Sequence, residues 1–118
     1  MLRLTPYMVA AAYDFLREMP PYKGWRMPPG DSVIFVIARD ANCYGYYQPD
    51  GEHHRIGVVD LAVGHTTSLV KVVAHEMIHM HQYLKRLDTR GAVHNANFRK
   101  LADRVCRTHG WDPKMFFI

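Results

Sequence analysis

Residues 75–79 read His-Glu-Met-Ile-His, inside an apolar run from Leu69 to Met80. Two demands meet in that stretch. Val70, Val72, Val73, Ala74, Met77 and Ile78 leave little polar face, and a helix that is apolar nearly all round has to be buried. The same helix carries two imidazoles and a carboxyl group, and buried polar groups need partners. Helix residues four apart stand one turn above the other on one face. His75 and His79 can therefore offer two ring nitrogens to one metal ion, and zinc takes such nitrogens at about 2.0–2.1 Å. Glu76 is turned roughly 100° from His75. From there it reaches a water held by the metal rather than the metal, the place of a general base. About one shuffled chain in a hundred of this composition carries the H-E-x-x-H pattern by chance. The alternative is a helix whose histidines are satisfied by ordinary hydrogen bonds. The buried helical setting favours the metal.

With 118 residues, 48% of them hydrophobic, the chain is expected to form one domain over residues 1–118 with a proper core. No window approaches 18 uncharged apolar residues, so no membrane span is expected. The start, Met1-Leu2-Arg3-Leu4-Thr5-Pro6, lacks the apolar core and cleavage site of a signal peptide. Cys43 and Cys106 are too few for a disulfide framework or a zinc ribbon. A reducing, cytoplasmic setting is the simplest expectation. The net charge of +4 is uneven: residues 71–118 carry 9 basic and 4 acidic side chains, residues 1–70 carry 6 and 7. The basic half is compatible with DNA or another anionic partner, although a solvated surface explains it as well. Nothing in the sequence sets an oligomeric state.

The pattern along the chain is α+β. Thr5-Pro6 is a cap followed by a first-turn proline. It opens a helix whose apolar stripe is Met8, Ala12, Phe15 and Met19, and Pro20-Pro21 stops it. Residues 20–32 form a loop with Tyr22 and Trp25, able to cover a cleft or to plug the edge of the core. Residues 32–38 read as a buried strand, 43–47 as a second and Arg55–Leu61 as a third, with turns at 39–42 and 49–51. Their closeness in sequence predicts a small meander, with the third strand as the edge of the active cleft. The Tyr44 and Tyr46 side chains share a face and read as packing. His53 and His54 point to opposite sides of extended chain and read as surface residues. Thr66 or Thr67 is expected to cap the long helix, which runs to about Lys85-Arg86-Leu87. Asp88–Gly91 is the exit loop. A last helix starts near His94-Asn95, buries Phe98, Leu101, Ala102, Val105 and Cys106, turns Lys100, Arg104 and Arg107 outward and ends at Gly110. Trp111, Phe116, Phe117 and Ile118 form an apolar tail that folds back onto the core.

A catalytic zinc has three protein ligands and an open position. No glutamate follows Glu76, which excludes a glutamate third ligand, and Gln82 and Lys85 stand where the metzincin extension needs Gly and His. His81 lies about 200° round the helix from His79 and faces away. His94, His109, Asp88 and Asp103 remain. His94 is preferred: it follows a chain-reversing loop at the start of a helix, and a positive helix end favours the neutral imidazole a metal needs. His109 lies roughly 22 Å further along that helix, so it cannot serve the same ion. Asp88 stays open if the exit loop folds tightly.

The H-E-x-x-H pattern followed by His94-x-x-x-Phe98 resembles the SprT-like metalloprotease domain. The stretch before it is similar too: Cys43-Tyr44-Gly45 on a strand, a turn, Ile56 to Leu61, then the long helix. The resemblance covers roughly residues 32–110 and implies a zincin-like fold with an N-terminal helix, a three-stranded sheet, an active-site helix and a C-terminal helix. It implies Zn2+ held by His75, His79 and His94, with Glu76 as catalytic base. It also implies hydrolysis of peptide bonds in a protein or peptide substrate, in known members often proteins crosslinked to DNA. Asn95 stands where the family usually has glycine, and the expected form is minimal, without a zinc ribbon or C-terminal extensions. The alternative of another class is a DNA- or protein-binding module with a structural or vestigial zinc.

Overall fold

The computed structural model describes residues 2–40, 42–60, 63–89 and 91–116. Its elements are α1 (Pro6–Arg17), β1 (Val33–Ala38), β2 (Gly45–Asp50), β3 (His53–Val59), α2 (Thr66–Lys85), α3 (Ala96–His109) and the single turn α4 (Pro113–Phe116). This is the expected α+β architecture, with short 3-10 turns at Tyr22–Trp25 and Gly30–Ser32 inside the expected loop. Of the sequence expectations, those on Ala41, Leu61, Arg90, Phe117 and Ile118 lie outside the described residues.

The helices follow local chemistry. Thr5 caps α1 by accepting the Met8 N–H, and proline occupies the first helical position. The buried stripe is Val9, Ala12, Tyr13 and Leu16, one position off the expected one. Phe15 is 53% exposed, whereas Tyr13 is fully buried and donates to the Pro28 carbonyl. The expected stripe left Tyr13 out, yet its ring packs on Phe35 of β1. The residue before α2 is His65, not Thr66 or Thr67, and its side chain makes no cap bond. The start of this helix therefore rests on packing, with Leu69 buried in the first turn. α2 ends where Arg86 turns left-handed at φ 56°.

The sheet is not a meander. Its order is β1-β3-β2, with β1 parallel and β2 antiparallel to β3. The segment after β1 crosses the end of β3 before β2 descends beside it. The Asp60 N–H bonds to Ala38 O and the Val59 N–H to Tyr44 O, so both flanking chains fasten that end. β3 takes the centre: Ile56, Val58 and Val59 have no exposed surface. β1, the most continuously apolar strand, is an edge strand with Ile34 38% exposed. β2 extends through Pro49 and Asp50, and the turn falls at residues 51–52. Proline is tolerated there because β2 is an edge strand.

α2 runs through the middle of the molecule. α1, the sheet, α3 and α4 all pack on it, and it buries ten of its residues from Leu69 to Gln82. The 20–32 segment packs on it as well. The Tyr22 hydroxyl donates to the Ala74 carbonyl at 2.7 Å, and Trp25 stacks on His81 at 4.2 Å. The segment plugs the core edge, and His81 is turned away from His75 and His79 as expected.

Gly45 lets β2 approach α2. A Cβ there would lie 2.6 Å from Val72 Cγ1, 2.8 Å from the Gly57 carbonyl oxygen and 3.4 Å from Glu76 Oε2. The carbonyl is fixed in the sheet, so the strand would have to shift. Gly45→Ala is expected to destabilise the protein by about 1–3 kcal/mol. The readout is a lower urea midpoint at unchanged slope. An unchanged midpoint would show that β2 moves off α2 without cost.

Candidate metal centre

His75 and His79 stand one turn apart on the face of α2 that the other elements leave open. His94 comes from the chain immediately before α3. Its position is set by Asn95, the N-cap of α3. The Asn95 side-chain oxygen accepts the Phe98 N–H and the Gln82 side-chain N–H, both at 2.9 Å. Its amide donates to Leu87 O at 3.0 Å and to Thr89 Oγ1 at 2.9 Å. One side chain thus caps α3, folds the 87–89 loop and ties both to Gln82 on α2, which is almost fully buried. His94 is delivered by that knot.

The three imidazoles converge. One ring nitrogen from each of His75, His79 and His94 lies within 4.8 Å of the others. His75 Nε2 and His94 Nε2 are 3.1 Å apart. Beneath them lies Phe98, fully buried, with its ring 4.4–4.9 Å from each imidazole. On the far side of His75, Nδ1 donates to the Phe116 carbonyl oxygen at 2.9 Å. That bond fixes the ring and leaves the Nε2 lone pair turned toward the other two imidazoles, the arrangement in which a metal-binding histidine is oriented by an outer hydrogen bond. Burial pushes the His75 pKa down to about 4, aided by His94 and opposed by the Phe116 bond. Burial, then His75 and His94, push His79 down to about 3. Burial and then Arg99 lower His94. Burial, rather than the helix end alone, keeps these rings neutral, which is the state that ligates. Three neutral nitrogen donors on one point fit a divalent metal such as zinc.

Glu76 is 6% exposed and borders the same cleft. Among the described residues no hydrogen bond to its carboxyl group is found. Burial pushes its pKa up to about 8. The cleft holds about 1050 Å³ and is bordered by α2, the β2 edge, the 42–44 crossing, Asp88, Thr89 and residues 92–94. Its strand edge is β2, not the third strand: β3 is hydrogen-bonded on both sides and has no free edge to offer.

The other candidates separate. His109 Nε2 bonds to Pro20 O. Asp103 pairs with Arg107. Asp88 borders the cleft but lies outside the donor group. His53 is exposed as expected, but His54 is only 8% exposed and hydrogen-bonds with the Tyr47 hydroxyl at 2.7 Å. Alternation placed the two on opposite sides; which side was inner depended on the pairing of β3 with β2. Cys43 and Cys106 are free thiols. The Phe116 carbonyl was not legible, because a backbone acceptor has no residue signature. Asn95 was, as an Asn three residues before the first buried position of a helix. Among the described residues no helix is long and apolar enough to cross a membrane.

The family model described as the SprT-like family matches residues 22–115. No curated protein sequence matches the chain.

The pKa of Glu76 gives a test on metal-free protein. Raised from 4.5 to about 8 on folding, Glu76 contributes stability that is fully present below pH 4.5 and lost as pH rises through about 8. Glutamine keeps the neutral shape. The stability of Glu76→Gln relative to wild type should therefore rise between about pH 5 and pH 9 in chelator, read from paired urea midpoints. A difference that stays flat with pH would mean that Glu76 is not buried uncompensated.

Proposed function

The chain belongs to the SprT-like family, and on that premise we propose that it is a zinc-dependent peptide hydrolase. His75, His79 and His94 are its metal ligands and Glu76 is its general base. The observation that carries this reading is the convergence of three neutral imidazoles on one point beside an open cleft that a buried carboxyl group also borders. When bound, zinc supplies Lewis-acid chemistry, acidifying a water and polarising a carbonyl.

The chain's own residues do the rest. Phe98 and the Phe116 carbonyl hold the imidazoles in place from below and behind. Glu76 takes a proton from the attacking water and returns it to the leaving amine. It must be ionised to do so, and an opposite charge within a few Å favours that form. β2 presents its unpaired edge to the cleft, so an extended substrate can add there by main-chain hydrogen bonds. The substrate is a protein or peptide. Lys100 and Arg104, exposed on the outer face of α3, support extending this to proteins that lie on DNA. A binding module with a structural zinc would have a closed coordination sphere; the open cleft counts against it.

Glu76→Gln tests the mechanism. It should keep its zinc and lose peptide cleavage by about 10²–10⁴-fold. The assay is turnover of an unstructured protein substrate at matched zinc content. Undiminished cleavage by the glutamine variant would remove Glu76 from the chemistry.

A further inference from the structure

The cleft differs from one end to the other. Along α2 its floor runs from Ser68 and Lys71, past His75, Glu76 and His79, to Tyr83. Tyr83 follows His79 by four residues and stands one turn further along the same face. β2 runs alongside in the same sense. Gly45 lies against Val72 and Glu76, and Tyr47 lies against Tyr83 with ring centroids 6.2 Å apart. The Ser68 end is polar, with Asn42 and Lys71. The Tyr83 end is walled by Tyr47, Pro49, Ala92 and Val93, with the exposed Asp88 and Thr89 of the same stretch also on its lining.

That apolar end is open to solvent: Tyr83 is 43% and Val93 68% exposed. Grouped apolar side chains left in water beside a cleft mark a binding surface, whereas single ones do not. The Tyr47 hydroxyl is already engaged, since it shares a hydrogen bond with His54 Nδ1 at 2.7 Å. Its ring rather than its hydroxyl therefore faces the cleft. His54 also meets Tyr83 edge-on at 6.5 Å, so the three rings brace one another.

Building on the hydrolase reading above, we propose that Tyr47, Tyr83 and Val93 form a subsite for a large apolar side chain of the substrate, aromatic or leucine-like. The spacing sets its place relative to the cleaved bond. One helical turn is about 5.4 Å, and an extended chain advances about 3.3 Å per residue. The side chain that reaches Tyr83 belongs to a residue within about two positions of the bond held at the triad.

The test uses zinc-loaded Glu76→Gln protein and fluorescein-labelled decapeptides of Gly, Ser and Ala, in which a single Phe, Leu or Lys is moved along the chain. Fluorescence anisotropy reads binding, and mass spectrometry maps the bonds that wild type cuts in the same peptides. The best Phe and Leu peptides should bind at least about tenfold more tightly than the parent. Wild type should cut within two residues of that side chain. Tyr83→Ala and Val93→Ser, each made in the Glu76→Gln background, should lose the preference. Tyr7→Ala, which removes an exposed aromatic on α1 outside the cleft, should keep it. Equal binding of all peptides, a stronger preference for Lys, or a preference indifferent to both variants would overturn the subsite. Selective binding without cleavage by wild type would leave the subsite standing and remove the hydrolase reading. Cleavage without selectivity would do the reverse.

Discussion

A helix that must be buried for its apolar residues, yet must keep three ionisable groups within reach of solvent, is the constraint on which this structure turns. α2 meets it by being enclosed on most sides and open on one. α1, the sheet and the 20–32 segment cover the sides that carry Val73, Ala74, Met77, Ile78 and Met80, all of them fully buried. The uncovered side is the one that carries His75, Glu76, His79 and Tyr83. Full burial would leave Glu76 as an uncompensated carboxyl group, and full exposure would leave the valines in water. The compromise shows in the pKa values: the imidazoles are pushed down and the carboxyl group up by the same desolvation. In this site a dication would satisfy both displacements at once, by taking the lone pairs and by favouring the carboxylate.

The third imidazole arrives by a different kind of economy. Fourteen positions separate His79 from His94, and much of the intervening chain is exposed loop. What makes His94 reproducible is the Asn95 knot, in which a single amide meets Gln82, Leu87, Thr89 and Phe98. Gln82 is the partner that ties this knot to α2. At the other end, the chain after α3 returns so that a backbone carbonyl at Phe116 can orient His75. The centre therefore ties α2, the α3 entry and the α4 turn together, and a cation there would stabilise their arrangement as well as serve chemistry.

Much of the fold could be read from the sequence where the signal was local. Thr5-Pro6, Gly110 and the apolar stripe of α3 gave helix ends and faces, and the four-residue spacing of His75 and His79 gave their convergence. The rest depended on pairing between distant segments. β1 read as a buried strand in a meander because its apolar run is unbroken, but it sits at an edge with α1 covering one face, and β3 with its glycine is the strand that is enclosed. The chain order gave no sign that residues 42–44 lie across the end of β3. Without that crossing, β3 rather than β2 seemed to border the cleft, and His54 seemed to face water. Phe15, expected in the stripe of α1, is exposed, and Tyr13 is buried instead with its hydroxyl on the Pro28 carbonyl, a contact that no periodicity encodes.

If His75, His79 and His94 hold one ion together, removing one of them should empty the site. Elemental mass spectrometry of protein purified without chelator, wild type beside His94→Ala, tests it most directly. About one zinc per wild-type chain is expected, lost or much reduced in the alanine variant, with the fold retained. Zinc kept in full by His94→Ala, or no metal in wild type, would contradict it.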